Sequence, residues 1–173
     1  MNAPRNTVTR IFTGITALSC VISLAACATA SPLTTLETVG PKPADVHLAG
    51  PMLGYLKVYN STREYSNGDV LYSPHRRYFL YNLDGRRLRT VDNRASRKDE
   101  EPQSVALPVG KYYVLAESEN EGLVRVPVVI KGGSTTLVNL ESGTPKGSGL
   151  DEADASRVSK SAGGQAVGWR ADF

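Results

Sequence analysis

The chain has 173 residues, of which 40% are hydrophobic, enough for one ordinary domain with a packed core. The chain has 20 Lys and Arg residues and 17 Asp and Glu residues. Arg5 and Arg10 belong to an amino-terminal segment that we expect to be removed, so the mature chain has 18 basic and 17 acidic residues and a net charge of +1. A charge so close to zero gives no argument for nucleic-acid binding.

Residues 1–26 are typical of a secretory signal peptide. Arg5 and Arg10 form a charged start without acids, and the apolar run IFTGITALSCVISLAA (11–26) follows. A transmembrane helix is the alternative, but this run is shorter than the ~20 apolar residues that a membrane span needs.

The end of this segment, Leu24-Ala25-Ala26-Cys27, resembles the lipobox of bacterial lipoproteins. The resemblance implies cleavage before Cys27, acyl chains on its thiol and new amino terminus, and stable membrane anchoring. Ala28, at a position where a sorting Asp would retain the protein, favours the outer membrane, facing the periplasm. The alternative is an ordinary cleavage site that happens to contain a cysteine.

The two cysteines are then accounted for, because Cys20 leaves with the signal and Cys27 is acylated. The mature chain has no thiol for a disulfide, a redox motif or a thiolate metal site. Residues 27–52, rich in Ala, Thr, Pro and Gly, are predicted to be a lipidated tether with a reach of roughly 25–30 Å.

Residues 53–141 predict an all-β domain, a small antiparallel seven-stranded sandwich of the immunoglobulin-like or transthyretin-like kind. Short apolar stretches recur there between turn signals, without a helical period. The predicted strands cover 54–60, 76–83, 87–93, 103–108, 110–118, 123–130 and 135–141, and the run 69–72 is a further short candidate.

Three details of this domain are predicted from single residues. Asp84-Gly85 marks a hairpin turn, and Pro127 places its strand at a sheet edge or a bulge. Tyr112 is expected to face the core just after a crossing between sheets, as a tyrosine corner does, with Tyr113 facing the other way.

The stretches GYLKVYN, ALPVGKYYVLAES and VRVPVVIKGGSTTLVNLE together resemble the carboxypeptidase-regulatory-like and PEGA-type sandwich domains. The Leu-x-x-Gly-x-Tyr-x-Val spacing (107–114) and the strand after the Gly-Gly turn carry most of this resemblance. It implies a sandwich fold and a non-catalytic accessory, interaction or wall-associated module. The polar insertion 61–73 and the charged loop 94–102 depart from the family pattern.

Residues 142–173 are predicted to be a tail that is partly disordered or forms a short helix. Its acids come early and its bases late, which suits a helix dipole. Trp169 and Phe173 are expected to pack the tail on the sandwich, or to present an extended segment to a partner.

The motifs of catalysis are missing from the sequence. His47 lies in the tether, His75 is expected on a solvated loop, and no G-x-S-x-G elbow accompanies them. The acidic runs lack calcium-loop spacing, and KGGSTT (131–136) joins two strands instead of opening a helix. We therefore predict no enzyme, no catalytic residue, no metal and no cofactor; a hydrolase using His75 or paired carboxylates is the alternative.

A basic hairpin is the first candidate binding surface. Aromatic residues lie between its two groups of arginines, which suit an anionic partner such as lipid head groups, lipopolysaccharide phosphates or a wall polymer. The candidates are Arg76, Arg77, Arg86, Arg87 and Arg89, with Arg87 and Arg89 expected on the same side. The alternative is a solvated hairpin whose arginines pair with the acids of 99–101.

Outward aromatic side chains are the second candidate, because such rings stack on sugars and anchor protein interfaces. The residues are Tyr55, Tyr59, Trp169 and Phe173. Together these features predict a lipid-anchored, non-enzymatic envelope binding or assembly module, with a glycan-binding or cell-wall-binding module as the alternative.

Overall fold

The computed structural model describes residues 33–43, 52–94, 96 and 98–171. The signal segment, Cys27, His47 and Phe173 lie outside these ranges. In the described ranges, no helix is long and apolar enough to cross a membrane.

Thirteen strands account for the regular structure of the described residues. They are β1 (Thr34–Thr35), β2 (Val39–Gly40), β3 (Leu53–Tyr59), β4 (Tyr65–Ser66), β5 (Leu71–Tyr72), β6 (Tyr78–Tyr81), β7 (Arg87–Val91), β8 (Val105–Pro108), β9 (Gly110–Ser118), β10 (Gly122–Ile130), β11 (Thr135–Asn139), β12 (Val158–Lys160) and β13 (Ala166–Arg170).

The strands form a sandwich, and the all-β fold that the sequence predicts is confirmed. A large sheet has the order β12-β13-β2-β10-β9-β6-β7, with β1 also beside β10, and a small sheet has the order β11-β3-β8. The insertion 61–73 contains the separate β4–β5 hairpin. The pairing is mixed, because β3 is parallel to β11, and β10 is parallel to both β1 and β2.

The core lies between the two sheets and is built by alternation along the strands. Successive side chains of a strand point to opposite faces, so every second residue of the long strands is buried. The core includes Val39, Leu56, Val58, Leu80, Val105, Leu107, Val114, Ala116, Val124, Val126, Val128, Ile130 and Val138.

The expectation from Pro127 is wrong, because β10 is an interior strand. Its register with β9 runs without a shift from Gly122 to Ile130. On the other side of β10, β1 pairs with Val124 and Arg125, and β2 pairs with Val128. Pro127 falls between these two short pairings, where a missing N–H costs no ladder bond.

The crossing between the sheets is confirmed at Val109. This one residue separates β8 in the small sheet from β9 in the large sheet. Tyr112 packs partly buried against the core, and its hydroxyl donates a hydrogen bond to the carbonyl of Pro108 at 2.9 Å. This bond back to the preceding strand is the contact that defines a tyrosine corner.

The Asp84-Gly85 turn is confirmed, but the side assigned to two arginines is wrong. Gly85 has φ +79° in the turn between β6 and β7. The register shifts inside the hairpin, so that Arg89 pairs with Leu80 while Arg87 pairs with Tyr81. Because paired residues share a face, Arg89 lies on the inner side with Leu80, and Arg87 lies on the outer side with Tyr81.

The sandwich extends beyond 53–141 at both ends. In the predicted tether, β1 and β2 join the large sheet and bury Leu36 and Val39 in the core. In the predicted tail, β12 and β13 continue the same sheet through the pairing of β13 with β2. The prediction of a disordered or helical tail is therefore wrong for residues 158–170.

The tail carries its own small core. Trp169 is only 6% exposed and forms a cluster with Leu150 and Val158, against which Leu137 packs. Gly168 beside it allows β13 to approach β11, since a Cβ there would lie 2.6 Å from the carbonyl oxygen of Leu137. The first of the two roles expected of Trp169, packing onto the sandwich, is confirmed.

Replacing Trp169 with alanine should lower the free energy of unfolding by about 3 kcal/mol, because the change opens a cavity in this cluster. Urea titration of the mature protein measures the loss. Leu71→Ala, at an exposed position of β5, should change it by less than about 0.5 kcal/mol. Equal stabilities of W169A and wild type would contradict the integration of the tail.

Candidate functional site: an arginine groove on the large sheet

The outer face of the large sheet carries rows of half-buried side chains. Across β6, β9 and β10, one row contains Phe79, Leu115 and Arg125. These residues point away from the core because they alternate with Leu80, Val114 and Val126, which are buried.

An arginine groove of about 330 Å³ lies at one end of this face. Four guanidinium-bearing residues from three segments surround an apolar floor. The groove is lined by Arg63, His75, Arg76, Arg77, Phe79, Asp92, Arg94, Leu115, Ala116, Glu117 and Leu123.

A buried polar cluster of Asn60, His75 and Asn93 lies beneath the groove. His75 Nδ1 is 2.7 Å from the carbonyl oxygen of Asn60. Asn93 Nδ2 donates to the side-chain oxygen of Asn60 and to the carbonyl of Val58, both at 2.8 Å. Asn93 has φ +58°, a left-handed conformation that asparagine tolerates better than most residues.

This polar cluster positions the arginines. Arg76 and Arg77 directly follow His75, and Arg94 directly follows Asn93, so fixing the two buried residues fixes the direction of the chain beyond them. Arg63 is held from the other side, where its N–H donates to the carbonyl of Pro74 at 3.0 Å.

The expected solvated position of His75 is therefore wrong, since the residue is only 3% exposed. The sequence around it, Ser-Pro-His-Arg-Arg, has the polarity of a surface loop. Its burial depends on a backbone bridge with Thr62 and on the bond to Asn60, both made by residues distant in the sequence.

The groove has more positive than negative groups. Arg76 Nη1 is 2.7 Å from a Glu117 carboxylate oxygen, and Arg77 Nη2 is 3.5 Å from one of Asp92. Within the described part of the chain, no carboxylate lies within ion-pair distance of Arg63 or Arg94. Glu64 lines a neighbouring hollow together with these two arginines.

The structure brings together two of the five predicted arginines, Arg76 and Arg77. Arg86 lies at the hairpin turn, where its N–H donates to Asn82 Oδ1, and Arg87 lies over the ring of Phe79 at 5.6 Å. The ion-pair partners of Arg76 and Arg77 are Glu117 and Asp92, not the acids of 99–101. Arg89 lies on the other side of the sheet, beside Leu80. The sequence does not predict Arg63 as a groove residue, because the insertion 61–73 has no periodic pattern that would mark it.

An aromatic groove of about 190 Å³ continues the same face from Leu115. Tyr81 and Tyr113 are paired neighbours on β6 and β9, and the guanidinium of Arg125 lies 3.7 Å from the Tyr113 ring centroid. Leu33, at the start of the described chain, lines the end of this groove. The face thus combines guanidinium groups that have no acidic partner among the described residues with half-buried aromatic rings and exposed leucine side chains.

The predicted aromatic contacts have different environments. Tyr55 is 44% exposed on the outer side of the small sheet. Tyr59 donates its hydroxyl to Glu101 at 2.9 Å and meets the His75 ring edge-on at 5.6 Å. Trp169 is buried in the tail cluster, so it offers no free stacking surface.

An acidic cleft of about 390 Å³ opens on the other side of His75. Glu141 Oε2 is 3.9 Å from His75 Nε2, and Glu101 accepts hydrogen bonds from Lys57 and Tyr59. The bond from Lys57 lowers the pKa of Glu101, whereas burial raises the pKa of Glu141. Among the described residues, no serine or threonine hydroxyl is hydrogen-bonded to His75.

The chain matches no protein-family model, and comparisons with curated proteins and with solved structures find no match. The resemblance to carboxypeptidase-regulatory-like and PEGA-type domains stays a prediction.

The raised pKa of Glu141 predicts a pH dependence of stability. A carboxyl group whose pKa is higher in the folded state stabilises the fold below the ordinary value of 4.5 and loses that contribution as the pH rises through the folded value. In Glu141→Gln this loss disappears. The free energy of unfolding of the variant minus that of wild type should therefore increase from about pH 3 to about pH 7. Urea titrations at both pH values measure it, and a decrease would contradict the burial of this carboxylate.

Proposed function

We propose that this protein is a lipid-anchored, non-enzymatic binding module of the bacterial cell envelope that holds an anionic group of an envelope component in its arginine groove. The observation that carries the proposal is the convergence of Arg63, Arg76, Arg77 and Arg94 on one groove, whose described lining residues include only two carboxylates. Two of these guanidinium groups have no acidic partner among the described residues.

The chemistry of the groove suits phosphate or carboxylate recognition. A guanidinium group is planar, always charged and presents several N–H donors, so it binds such anions with two parallel hydrogen bonds. The polar cluster holds the chain beside three of the arginines in place, which reduces the ordering cost of binding.

The envelope location rests on the lipobox at Leu24–Cys27. An acylated Cys27 would hold the sandwich at a membrane surface, and Ala28 favours the periplasmic face of the outer membrane. Lipid head groups, lipopolysaccharide phosphates and acidic wall polymers are the anions present there.

The residues that line the two clefts support a binding function better than a hydrolytic one. The acidic cleft brings His75 near Glu141, but the imidazole is already held by Asn60, and Glu101 is occupied by Lys57 and Tyr59. A nucleophilic mechanism needs a hydroxyl within hydrogen-bond reach of the base, and the described residues place none at His75. A structural role for this cleft accounts for all of these contacts.

The glycan alternative loses two of its expected residues, because Tyr59 is engaged with Glu101 and Trp169 is buried. Of the described residues expected to contact a sugar, Tyr55 is the one that stays exposed on an outer face, and Phe173 lies outside the described ranges. We therefore place recognition in the arginine groove.

Replacing Cys27 with alanine should abolish acylation and leave the precursor unprocessed. Mass spectrometry of the amino-terminal peptide from the membrane fraction detects both the acylation and the cleavage. A Cys20→Ala variant is the matched control and should be acylated and cleaved normally. An unmodified amino terminus in wild type would contradict the envelope anchor.

Inorganic pyrophosphate should bind to the mature protein in neutral detergent, as measured by calorimetric titration. Arg94→Gln should weaken this binding about tenfold or more, the expected loss of one hydrogen bond to a charged group. Arg86→Gln removes the same charge outside the groove and should leave the affinity nearly unchanged. Equal weakening by both variants, or no binding by wild type, would refute the groove as an anion site.

A further inference from the structure

The described chain begins beside the aromatic groove, close to the expected lipid anchor. Leu33 is 46% exposed and lines that groove. Five residues, 28–32, lie between Cys27, the expected acylation site, and Leu33. The six residue steps from Cys27 to Leu33 span at most ~20 Å when fully extended. The anchor therefore holds this part of the domain far closer to the bilayer than the 27–52 tether predicted from the sequence.

From this placement we propose that the outer face of the large sheet docks on the membrane that carries the anchor, with the groove arginines contacting phosphate groups of anionic phospholipids. The proposal rests on the proposed function, because it requires an acylated Cys27. It goes further by naming the partner of the arginine groove and the orientation of the domain.

The charges of the face suit an anionic lipid surface. Arg63 and Arg94 have no carboxylate partner among the described residues, and Arg87 and Arg125 lie on the same outer face. Each basic side chain near an anionic leaflet adds to the attraction, which acts within about a Debye length of the surface. The segment 27–32, which spans at most ~20 Å, keeps the Leu33 end of the face within about two Debye lengths of the surface.

The apolar groups of the face suit the head-group region. Tyr81 and Tyr113 combine an aromatic ring with a hydroxyl, the combination that is enriched where membrane meets water. Leu123, which is 51% exposed, projects from the groove at the start of β10, and Leu33 projects at the other end. Insertion of these two side chains would remove apolar surface from water.

The opposite side of the sandwich has the wrong charge for the same surface. The acidic cleft is lined by Glu100, Glu101 and Glu141 against one lysine, Lys146, and the nearby Lys57 is already paired with Glu101. An anionic leaflet would repel this side. The asymmetry between the two sides selects one orientation, with the large sheet toward the membrane and the acidic cleft toward the periplasm.

The short segment 27–32 favours lipid over a glycan or a protein as the partner of this face. A soluble ligand would need the face to be open, whereas an anchor attached beside it places lipid head groups against it at high effective concentration. Among anionic partners, the membrane is the one that the chain itself brings to the groove.

A fluorescent probe on the face tests the docking. Acylated Cys27 leaves no free thiol in the mature chain, so Leu123→Cys can be labelled alone with bimane. The lipidated protein is placed in vesicles of phosphatidylcholine, with or without phosphatidylglycerol, that contain brominated lipid as quencher. Quenching should be at least about twofold stronger with phosphatidylglycerol, since the anionic lipid draws the face down.

Two controls accompany this measurement. Bimane at Ala106→Cys, exposed on the outer side of the small sheet, should be quenched equally weakly in both vesicles. Adding Arg77→Gln and Arg94→Gln to Leu123→Cys should remove the effect of phosphatidylglycerol. The matched change Lys146→Gln with Lys160→Gln, both exposed and outside the two grooves, should keep it.

The outcomes separate the two proposals. Equal quenching at Leu123→Cys in both vesicles, from a protein whose acylation is verified by mass spectrometry, overturns the docking. If the arginine groove then still binds pyrophosphate, the proposed function stands with another anionic partner, such as a phosphorylated glycan. An unacylated amino terminus overturns the envelope anchor and the docking together.

Discussion

The antiparallel pairing of β9 with β10 is the constraint on which the rest of the structure depends. Nine residue pairs run without a shift from Gly122–Ser118 to Ile130–Gly110. The same alternation places Val114, Ala116, Val124, Val126 and Val128 in the core and aims their neighbours at the outer face. A one-residue slip would exchange the two sets, so the fold and the candidate site are fixed by one register.

The second constraint is the polar cluster below the arginine groove. Asn60, His75 and Asn93 are all buried, and each would be costly without its hydrogen bonds. Their bonds tie the segments after β3, before β6 and after β7 to one another. The four arginines thus form a groove because buried neighbours hold their backbones, while their own side chains remain at the surface.

The sequence predicts a structural feature where the pattern that marks the feature lies within a few neighbouring residues. It does not predict features that form only through pairing of distant residues. The strands of 54–60, 110–118 and 123–130 could be predicted because alternation is a local pattern. Strands such as Val39–Gly40 and Val158–Lys160 are too short to show a period, and pairing with distant residues stabilises them. The sequence predicts that Trp169 packs on the sandwich, but it does not predict β13, the strand that carries Trp169, because the same kind of long-range pairing stabilises that strand.

The binding residues divide in the same way. Arg76 and Arg77 could be identified from a basic run, but Arg63 joins them only through the bridge between Thr62 and His75. A register shift inside β6–β7 separates Arg87 from Arg89, and no local pattern announces such an irregularity. A site assembled from three segments by buried hydrogen bonds is visible in the sequence only as scattered arginines.

In the proposed docking, the outer face of the large sheet is turned toward the anchoring membrane. Paramagnetic relaxation of leucine methyl signals tests this orientation. The mature protein is placed in nanodiscs that contain a lipid with a gadolinium-labelled head group. We expect strong relaxation of Leu33, Leu115 and Leu123 and little at Leu53 in the small sheet. Strong relaxation of Leu53 with Leu115 and Leu123 unaffected, or uniform relaxation of all four, would contradict this orientation.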